Sequence, residues 1–167
     1  AIVLNVDGPS GVVTADADLD GDLDILSSSF YDNKIALYWN ISIHKSAIFP
    51  TETLISERVP ITYAFSVDVD RDGDLDILSA SYQHNEIAWH ENDGNQNFTE
   101  QIVTTDAAGV LATIVEDIDQ DGDIDFLSGS GVNPKLAWYE NQGGQFALTT
   151  EVKSTNFLQT GDRKSVV

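Results

Sequence analysis

The sequence predicts an all-β fold of three repeated units, each about 50 residues long and each forming a four-stranded antiparallel sheet. An acidic stretch followed by apolar residues occurs three times, as DADLDGDLDILSSS at 16–29, DVDRDGDLDILSAS at 68–81 and DIDQDGDIDFLSGS at 117–130. Short apolar runs rich in Val, Ile, Thr, Tyr and Trp alternate with turns marked by Asp, Asn and Gly. Such runs are typical of strands, and no stretch has the longer amphipathic periodicity of a helix.

A second element keeps the spacing of the acidic stretches and so establishes the repeat. The acidic stretches begin at residues 16, 68 and 117, which are 52 and 49 residues apart. Strand-like segments follow with the same two spacings, as KIALYWN at 34–40, EIAWHEN at 86–92 and KLAWYEN at 135–141. Because two markers repeat in register, each unit is one supersecondary building block.

Four short antiparallel strands in a unit of about 50 residues are the pattern of a β-propeller blade. A β-sandwich is the structural alternative, but it does not account for the repeat. We predict a single propeller segment over 1–167, divided into the outer-strand tail of a preceding blade at 1–7, blade one at 8–56, blade two at 57–104, blade three at 105–155 and the start of a further blade at 156–167. Three blades do not close a propeller, so we expect it to be completed by a longer chain or by other copies.

Each acidic stretch places carboxylates at alternate positions around one glycine. Numbered from its first Asp, the loop has Asp at positions 1, 3, 5, 7 and 9 and Gly at position 6. Side chains that alternate around a tight turn can converge on one point, and roughly six to eight hard oxygen ligands are what Ca²⁺ prefers. We therefore predict three calcium sites. Their ligands are Asp16, Asp18, Asp20, Asp22 and Asp24 in loop one, Asp68, Asp70, Asp72, Asp74 and Asp76 in loop two, and Asp117, Asp119, Asp121, Asp123 and Asp125 in loop three.

Other metal sites fit the sequence less well. An EF-hand shares the D-x-D-x-D-G start, but it needs Glu at position 12 and flanking helices. Position 12 is Ser27, Ser79 or Ser128, and the flanks are strand-like. Mg²⁺ requires fewer protein ligands in a stricter octahedron. Zinc and copper are disfavoured because the chain has no Cys and 3 His.

The acidic loop, the strand after it and the AWYEN-like strand on the same period resemble the FG-GAP/VCBS repeat of integrin-α-like β-propellers. The resemblance extends over essentially the whole chain, although the first unit has Leu37 and Trp39 where the others have Trp and Glu. It implies that the side chains at positions 1, 3, 5 and 9 bind calcium. It also implies that Asp22, Asp74 and Asp123, at position 7, bind mainly through their backbone carbonyls. Propellers of this kind have about seven blades.

Composition excludes several classes of function. The formal net charge is −20, which disfavours binding to nucleic acid and to anionic membranes. No apolar run is long enough to span a membrane. No catalytic motif is present, so we predict that the chain is not an enzyme. Trp39, Trp89 and Trp138 are predicted to pack between blades rather than to stack on sugars, and His84 and His90 are predicted to lie on the surface.

The resemblance implies a calcium-binding propeller module of a secreted or cell-surface protein, which serves adhesion or the binding of a protein or carbohydrate ligand. Two alternatives stay open at this point. One is the propeller domain of a polysaccharide-degrading enzyme, and the other is a calcium-rigidified structural or filament subunit. The sequence does not identify the ligand, because one fold supports many functions.

Overall fold

The computed structural model describes residues 7–41, 52–132 and 135–153, and within these ranges the chain forms twelve strands and no helix. The predicted segment at 156–167 lies outside the described residues, as does all of the 1–7 segment except residue 7. The strands are β1 (Pro9–Ala15), β2 (Asp24–Ser29), β3 (Ile35–Tyr38), β4 (Glu52–Ser56), β5 (Tyr63–Val67), β6 (Asp76–Ser81), β7 (Glu86–Asn92), β8 (Phe98–Thr104), β9 (Val110–Glu116), β10 (Asp125–Ser130), β11 (Lys135–Asn141) and β12 (Phe146–Lys153).

The twelve strands form three antiparallel sheets of four strands each. Sheet one has the order β1-β2-β3-β4, sheet two β5-β6-β7-β8 and sheet three β9-β10-β11-β12, so pairing within each sheet follows the order of the strands in the sequence. Consecutive antiparallel strands need only short turns, which is why about 50 residues suffice for one sheet. The predicted all-β fold of four-stranded antiparallel blades is confirmed.

The three units also share their strand register, as the repeat requires. Leu26 pairs with Leu37 in sheet one, Leu78 with Trp89 in sheet two and Leu127 with Trp138 in sheet three. A register slip by one residue would turn these apolar side chains to the opposite face of the sheet. The side chains that face the neighbouring sheet are therefore fixed by the sequence spacing.

The core consists of two layers of side chains between successive sheets. The first layer lies between sheets one and two. It contains Leu26, Leu37 and Trp39 from sheet one and its end, Ile61 from the segment before β5, and Ile77 from β6. The second layer joins sheets two and three, and its largest members are Leu78, Ile87, Trp89, Phe126 and Tyr139. The central strand β6 is buried along its whole length because it is covered on both faces.

The first strands of the units lie side by side. β1 contacts β5, and β5 contacts β9, so the three acidic loops that follow these strands emerge at the same end of the stacked sheets. This arrangement is consistent with successive propeller blades. In the described ranges, the structure contains no helix of the length and apolarity that a membrane crossing needs.

Candidate metal centres

Each acidic loop connects the first strand of a sheet to the second, and all three share a positive φ at the same two positions. Position 4 has a positive φ in every loop, with 60° at Leu19, 64° at Arg71 and 64° at Gln120. The glycine at position 6 has a φ of 94°, 99° or 98°. Residues with a Cβ rarely adopt this conformation, so glycine is required by the turn itself.

Hydrogen bonds within the loop hold the carboxylates in place. In loop one, the Gly21 amide donates to Asp16 Oδ2 at 3.0 Å, and the Asp22 amide donates to Asp20 Oδ1 at 2.8 Å. Loop two repeats both bonds, and loop three repeats the second at 2.8 Å. Each bond occupies one oxygen of its carboxylate and leaves further lone pairs for another partner.

The carboxylate at position 1 has an oxygen that is buried and receives no hydrogen bond. The same atom, Oδ1, is left without a partner in Asp16, Asp68 and Asp117. A buried acceptor without a donor costs about 1–3 kcal/mol, so one orphaned atom at the same place in three loops needs an explanation. A cation held by the loop would supply the missing partner.

The carboxylate at position 1 also belongs to a cluster of acidic side chains in each loop. Ligand atoms within 4.8 Å of one another come from three residues in each loop: Asp16, Asp18 and Asp24, then Asp68, Asp70 and Asp76, then Asp117, Asp119 and Asp121. Oxygen ligands without nitrogen or sulfur suit a hard cation such as Ca²⁺. The residues present therefore fit the ion that the repeat implies.

The electrostatics of the loops also favour a bound proton or cation. Loss of hydration, followed by repulsion from Asp24 and Asp20, raises the pKa of Asp18 above its usual value. The pKa values of Asp70 and Asp119 are raised as well, again mainly by loss of hydration. Burial raises the pKa of Asp76 to about 6, although two backbone N–H groups stabilise its charge.

The Asp at position 9 has a structural role that the sequence analysis did not predict. Asp24, Asp76 and Asp125 are 1%, 0% and 0% exposed. In each sheet one oxygen accepts the amide of position 2, at 2.9 to 3.0 Å. The other accepts the amide of the Asn that ends the AWYEN-like segment, at 2.7 to 3.0 Å. Position 9 thus fastens the loop to the third strand of its own sheet, and the Asn that recurs 16 residues later was the available sequence signal.

The remaining loop positions are more exposed. Position 5 accepts the amide of position 7 in every loop. Position 7 contributes a side chain in loop three, where Asp123 accepts the Gly143 amide at 3.2 Å and pairs with Arg71 at 3.3 Å. Metal binding by the position 7 carbonyls of Asp22, Asp74 and Asp123 stays a prediction.

The tryptophans and histidines are placed differently from one another. Trp89 is buried between sheets two and three and makes an edge-to-face contact with Phe146, at 6.3 Å between ring centroids, which confirms its predicted packing role. His84 is exposed, as predicted. The surface prediction for His90 is wrong, because His90 is 1% exposed and lies 3.0 Å from Ser79 Oγ. It occupies the position of Tyr38 and Tyr139 in the other sheets, and this equivalence could have revealed its burial.

A cavity of about 200 Å³ lies between sheets two and three, beside Trp89. Its lining includes Trp89, Ile102 and Phe146 together with Gln101 and Gln145. A Cβ added to Gly144 would lie 2.9 Å from the Trp89 ring, so the absence of a side chain there keeps the space open.

Together, the fold and the loops define a repeat protein of stacked antiparallel sheets. Each sheet carries one acidic loop whose carboxylates could hold a metal ion. Residues 68–128 match the family model of the FG-GAP-like repeat, which confirms the predicted resemblance over this segment. No curated protein matches the chain significantly.

A solved structure of a β-propeller-like lectin from Agrocybe aegerita resembles this chain, with 21% sequence identity and a TM-score of 0.61. That lectin is described as recognising non-reducing terminal N-acetylglucosamine specifically. The similarity covers 86% of this chain and 38% of the lectin chain, so this chain spans well under half of the lectin's length. At this identity, the likeness shows the fold alone.

Proposed function

We propose that each acidic loop binds one Ca²⁺ and that the three ions rigidify the end of the sheets where the loops lie. The observation that carries this proposal is the orphaned, buried Oδ1 of Asp16, Asp68 and Asp117. The carboxylates at positions 1, 3, 5 and 9 would hold the ion, together with the carbonyl at position 7. The bound ion supplies positive charge that offsets the repulsion among these groups.

The expected energetic effect is large for a chain of this size. With free calcium about a thousandfold above the dissociation constant, each site adds about 4 kcal/mol to the free energy of unfolding. Three ions of charge +2 would also change the formal net charge from −20 to −14. Calcium therefore acts on this chain chiefly as a source of stability.

Thermal unfolding in excess EGTA and in excess calcium tests the calcium sites, and isothermal titration calorimetry counts the ions. We expect a melting temperature that is higher in calcium by more than about 10 °C, and three ions per chain. Asp16→Asn should remove one ion, whereas the control Asp7→Asn, an exposed residue outside the loop, should remove none. Equal melting temperatures in EGTA and calcium would refute the proposal.

We further propose that this calcium-stabilised segment belongs to a secreted or cell-surface protein and binds a carbohydrate or protein ligand, without being an enzyme. FG-GAP-like repeats are typical of extracellular proteins, which supports the location. The likeness to a lectin and the cavity beside Trp89 support the ligand-binding role.

A glycan array probed in calcium, followed by titration of intrinsic tryptophan fluorescence with N-acetylglucosamine, tests the carbohydrate ligand. Gln145→Ala removes a polar group from the cavity and should weaken binding at least fivefold. Gln142→Ala, in the same turn but outside the cavity lining, is the matched control. If no glycan binds, the proposed ligand is a protein. Production of new reducing ends from a polysaccharide would show instead that the chain is an enzyme.

The structural-subunit alternative is favoured by one apolar face. Ile114 and Leu136 of sheet three are 52% and 50% exposed. Ile87, the counterpart of Leu136 in sheet two, is fully buried against sheet three. Light scattering in calcium tests whether this face mediates assembly, with Leu136→Glu as the variant that should return an assembled form to single chains.

A further inference from the structure

Asn141, at the end of β11, connects two acidic loops that belong to different sheets. Its side-chain amide donates to the carbonyl of Ile124 in loop three at 3.1 Å and to the carbonyl of Val69 in loop two at 2.9 Å. Its backbone amide donates to Asp125 Oδ1 at 3.0 Å, and its Oδ1 accepts the Gly144 amide at 2.8 Å. Since the residue is fully buried, water does not compete for these bonds.

These contacts complete a continuous path of hydrogen bonds between the two loops. The Val69 amide donates to Asp76 Oδ2 at 3.0 Å, and the Val69 carbonyl accepts from Asn141. Asn141 in turn donates to Asp125. The path therefore runs from the position 9 carboxylate of loop two to the position 9 carboxylate of loop three, and all four residues on it are 0% exposed.

A second contact joins the same two loops at the surface. Arg71, at position 4 of loop two, reaches across to Asp123, at position 7 of loop three, with 3.3 Å between Nη2 and Oδ1. The guanidinium lies directly over Gly122, where a Cβ would clash with Nη2. This half-exposed ion pair is weak by itself, but it brings loops two and three into direct contact.

Neither link has a counterpart between sheets one and two among the residues that the structure describes. Asn92 repeats the contacts of Asn141 within its own sheet, since it donates to Asp76 Oδ1 at 2.7 Å and to the Leu75 carbonyl at 3.2 Å. Among the described residues, no hydrogen bond joins Asn92 to loop one. Position 4 of loop one is Leu19, which has no charge to pair with a carboxylate.

We propose that Asn141 couples loops two and three, so that a cation bound by one loop raises the affinity of the other, while loop one binds independently. The inference rests on the proposed calcium binding. A cation that orders loop two fixes the Val69 carbonyl and, through Asn141, the backbone around Ile124 and Asp125. Binding of the second cation then costs less conformational entropy, because the second loop is already partly ordered. The same increase in affinity applies in either order of binding. Asn141 is a positioning residue in this scheme, because it acts through the ligands and not on the ion.

Calcium titrations of the whole chain, followed by NMR at the position 6 glycine amides, test the coupling. Asp70→Asn disables loop two and should lower the affinity of loop three, read at Gly122, at least fivefold. Asp18→Asn disables loop one and should change the affinity of the adjacent loop two, read at Gly73, less than twofold. Asn141→Ser should abolish the effect of Asp70→Asn, whereas the matched control Asn92→Ser should preserve it.

The possible results separate this inference from the proposed function. Three ions that bind without mutual influence would overturn the coupling and leave the calcium sites intact. The comparison of Asp70→Asn with Asp18→Asn needs no change at Asn141, so it decides the question even if Asn141→Ser does not fold. The proposed function would be refuted if calorimetry detected no heat of calcium binding and the NMR signals of the glycine amides did not shift on addition of calcium.

Amide hydrogen exchange of the chain in EGTA tests the link without any metal. Asn141→Ser should speed exchange of the Val69 amide in loop two, although the substitution lies in sheet three. Asn92→Ser should leave exchange of the Ala17 amide in loop one unchanged. Unchanged exchange at Val69 in Asn141→Ser would overturn the link itself.

Discussion

Replacement of His90 by tyrosine should remove a large part of the acid sensitivity of this fold. His90 is almost fully buried in β7, and burial lowers its pKa from 6.5 to about 4, because the imidazolium would lose its hydration. Sheets one and three have Tyr38 and Tyr139 at the equivalent position, near Ser27 and Ser128 respectively. His90→Tyr therefore introduces the residue that the other two sheets already accommodate.

The sign and size of the effect follow from proton linkage. As the pH falls from 6.5 towards 4, the unfolded chain binds a proton at His90 while the folded chain keeps this imidazole neutral. The free energy of unfolding therefore decreases through this window, and the stability that His90 contributes is fully present only above it. A pKa displacement of this size corresponds to about 3 kcal/mol.

Urea unfolding of the wild type and of His90→Tyr, at about pH 7.5 and about pH 4.5, measures this contribution. Both proteins are measured in EGTA, so that calcium release does not enter the comparison. The raised pKa of Asp76 acts in the opposite direction, since it stabilises the fold as the pH falls, but it cancels between the two proteins. The variant should lose about 2–3 kcal/mol less than the wild type on acidification.

Two comparisons make the result decisive. His84→Gln replaces an exposed histidine and controls for the loss of one histidine from the chain. An identical loss of stability in the wild type and in His90→Tyr would refute the reasoning, because it would mean that the buried imidazole does not resist protonation.

Three further effects can be measured on the same protein. Gly144→Ala should cost about 1–2 kcal/mol more than Gly143→Ala in urea unfolding, because both have positive φ but only the first places a Cβ 2.9 Å from Trp89; equal costs would contradict this. Arg58→Ala should cost about 1–2 kcal/mol, since it leaves the buried carboxylate of Glu86 without its cation; unchanged stability would show that the pair contributes nothing. Calorimetric calcium affinity should fall below about pH 6, because the pKa of the position 9 carboxylate of loop two is about 6 and protons compete with the ion; a pH-independent affinity would contradict this.

The sequence was informative about the acidic loops because their geometry is local. Alternating Asp residues around a glycine specify a turn in which position 6 needs a positive φ, and the structure has that turn three times. The in-register repeat also predicted the four-stranded sheets, since consecutive antiparallel strands require no long-range information about their order. Position 9 was recognised as part of each loop, but its bond to the Asn at the end of the third strand was not.

Contacts between sheets could not be predicted in the same way. The tyrosines at the equivalent position of the other two sheets indicate a buried site for His90, but only the packing of the sheets shows that its side chain is 1% exposed. Asn92 and Asn141 are equivalent in sequence, yet only Asn141 reaches the loop of the preceding sheet, at the Val69 carbonyl. Which asparagine makes this bond depends on the distance between neighbouring sheets. The spacing of residues in the sequence does not specify that distance.

The sequence by itself thus determined the repeat, the strands and the three acidic loops, because each depends on residues close together in the chain. The tertiary structure decided which carboxylate oxygens are buried without a donor, which side chains line the cavity beside Trp89, and which loops are connected. Those properties depend on the distance between sheets and on the exclusion of water from their interface, and both arise only when the sheets pack against one another.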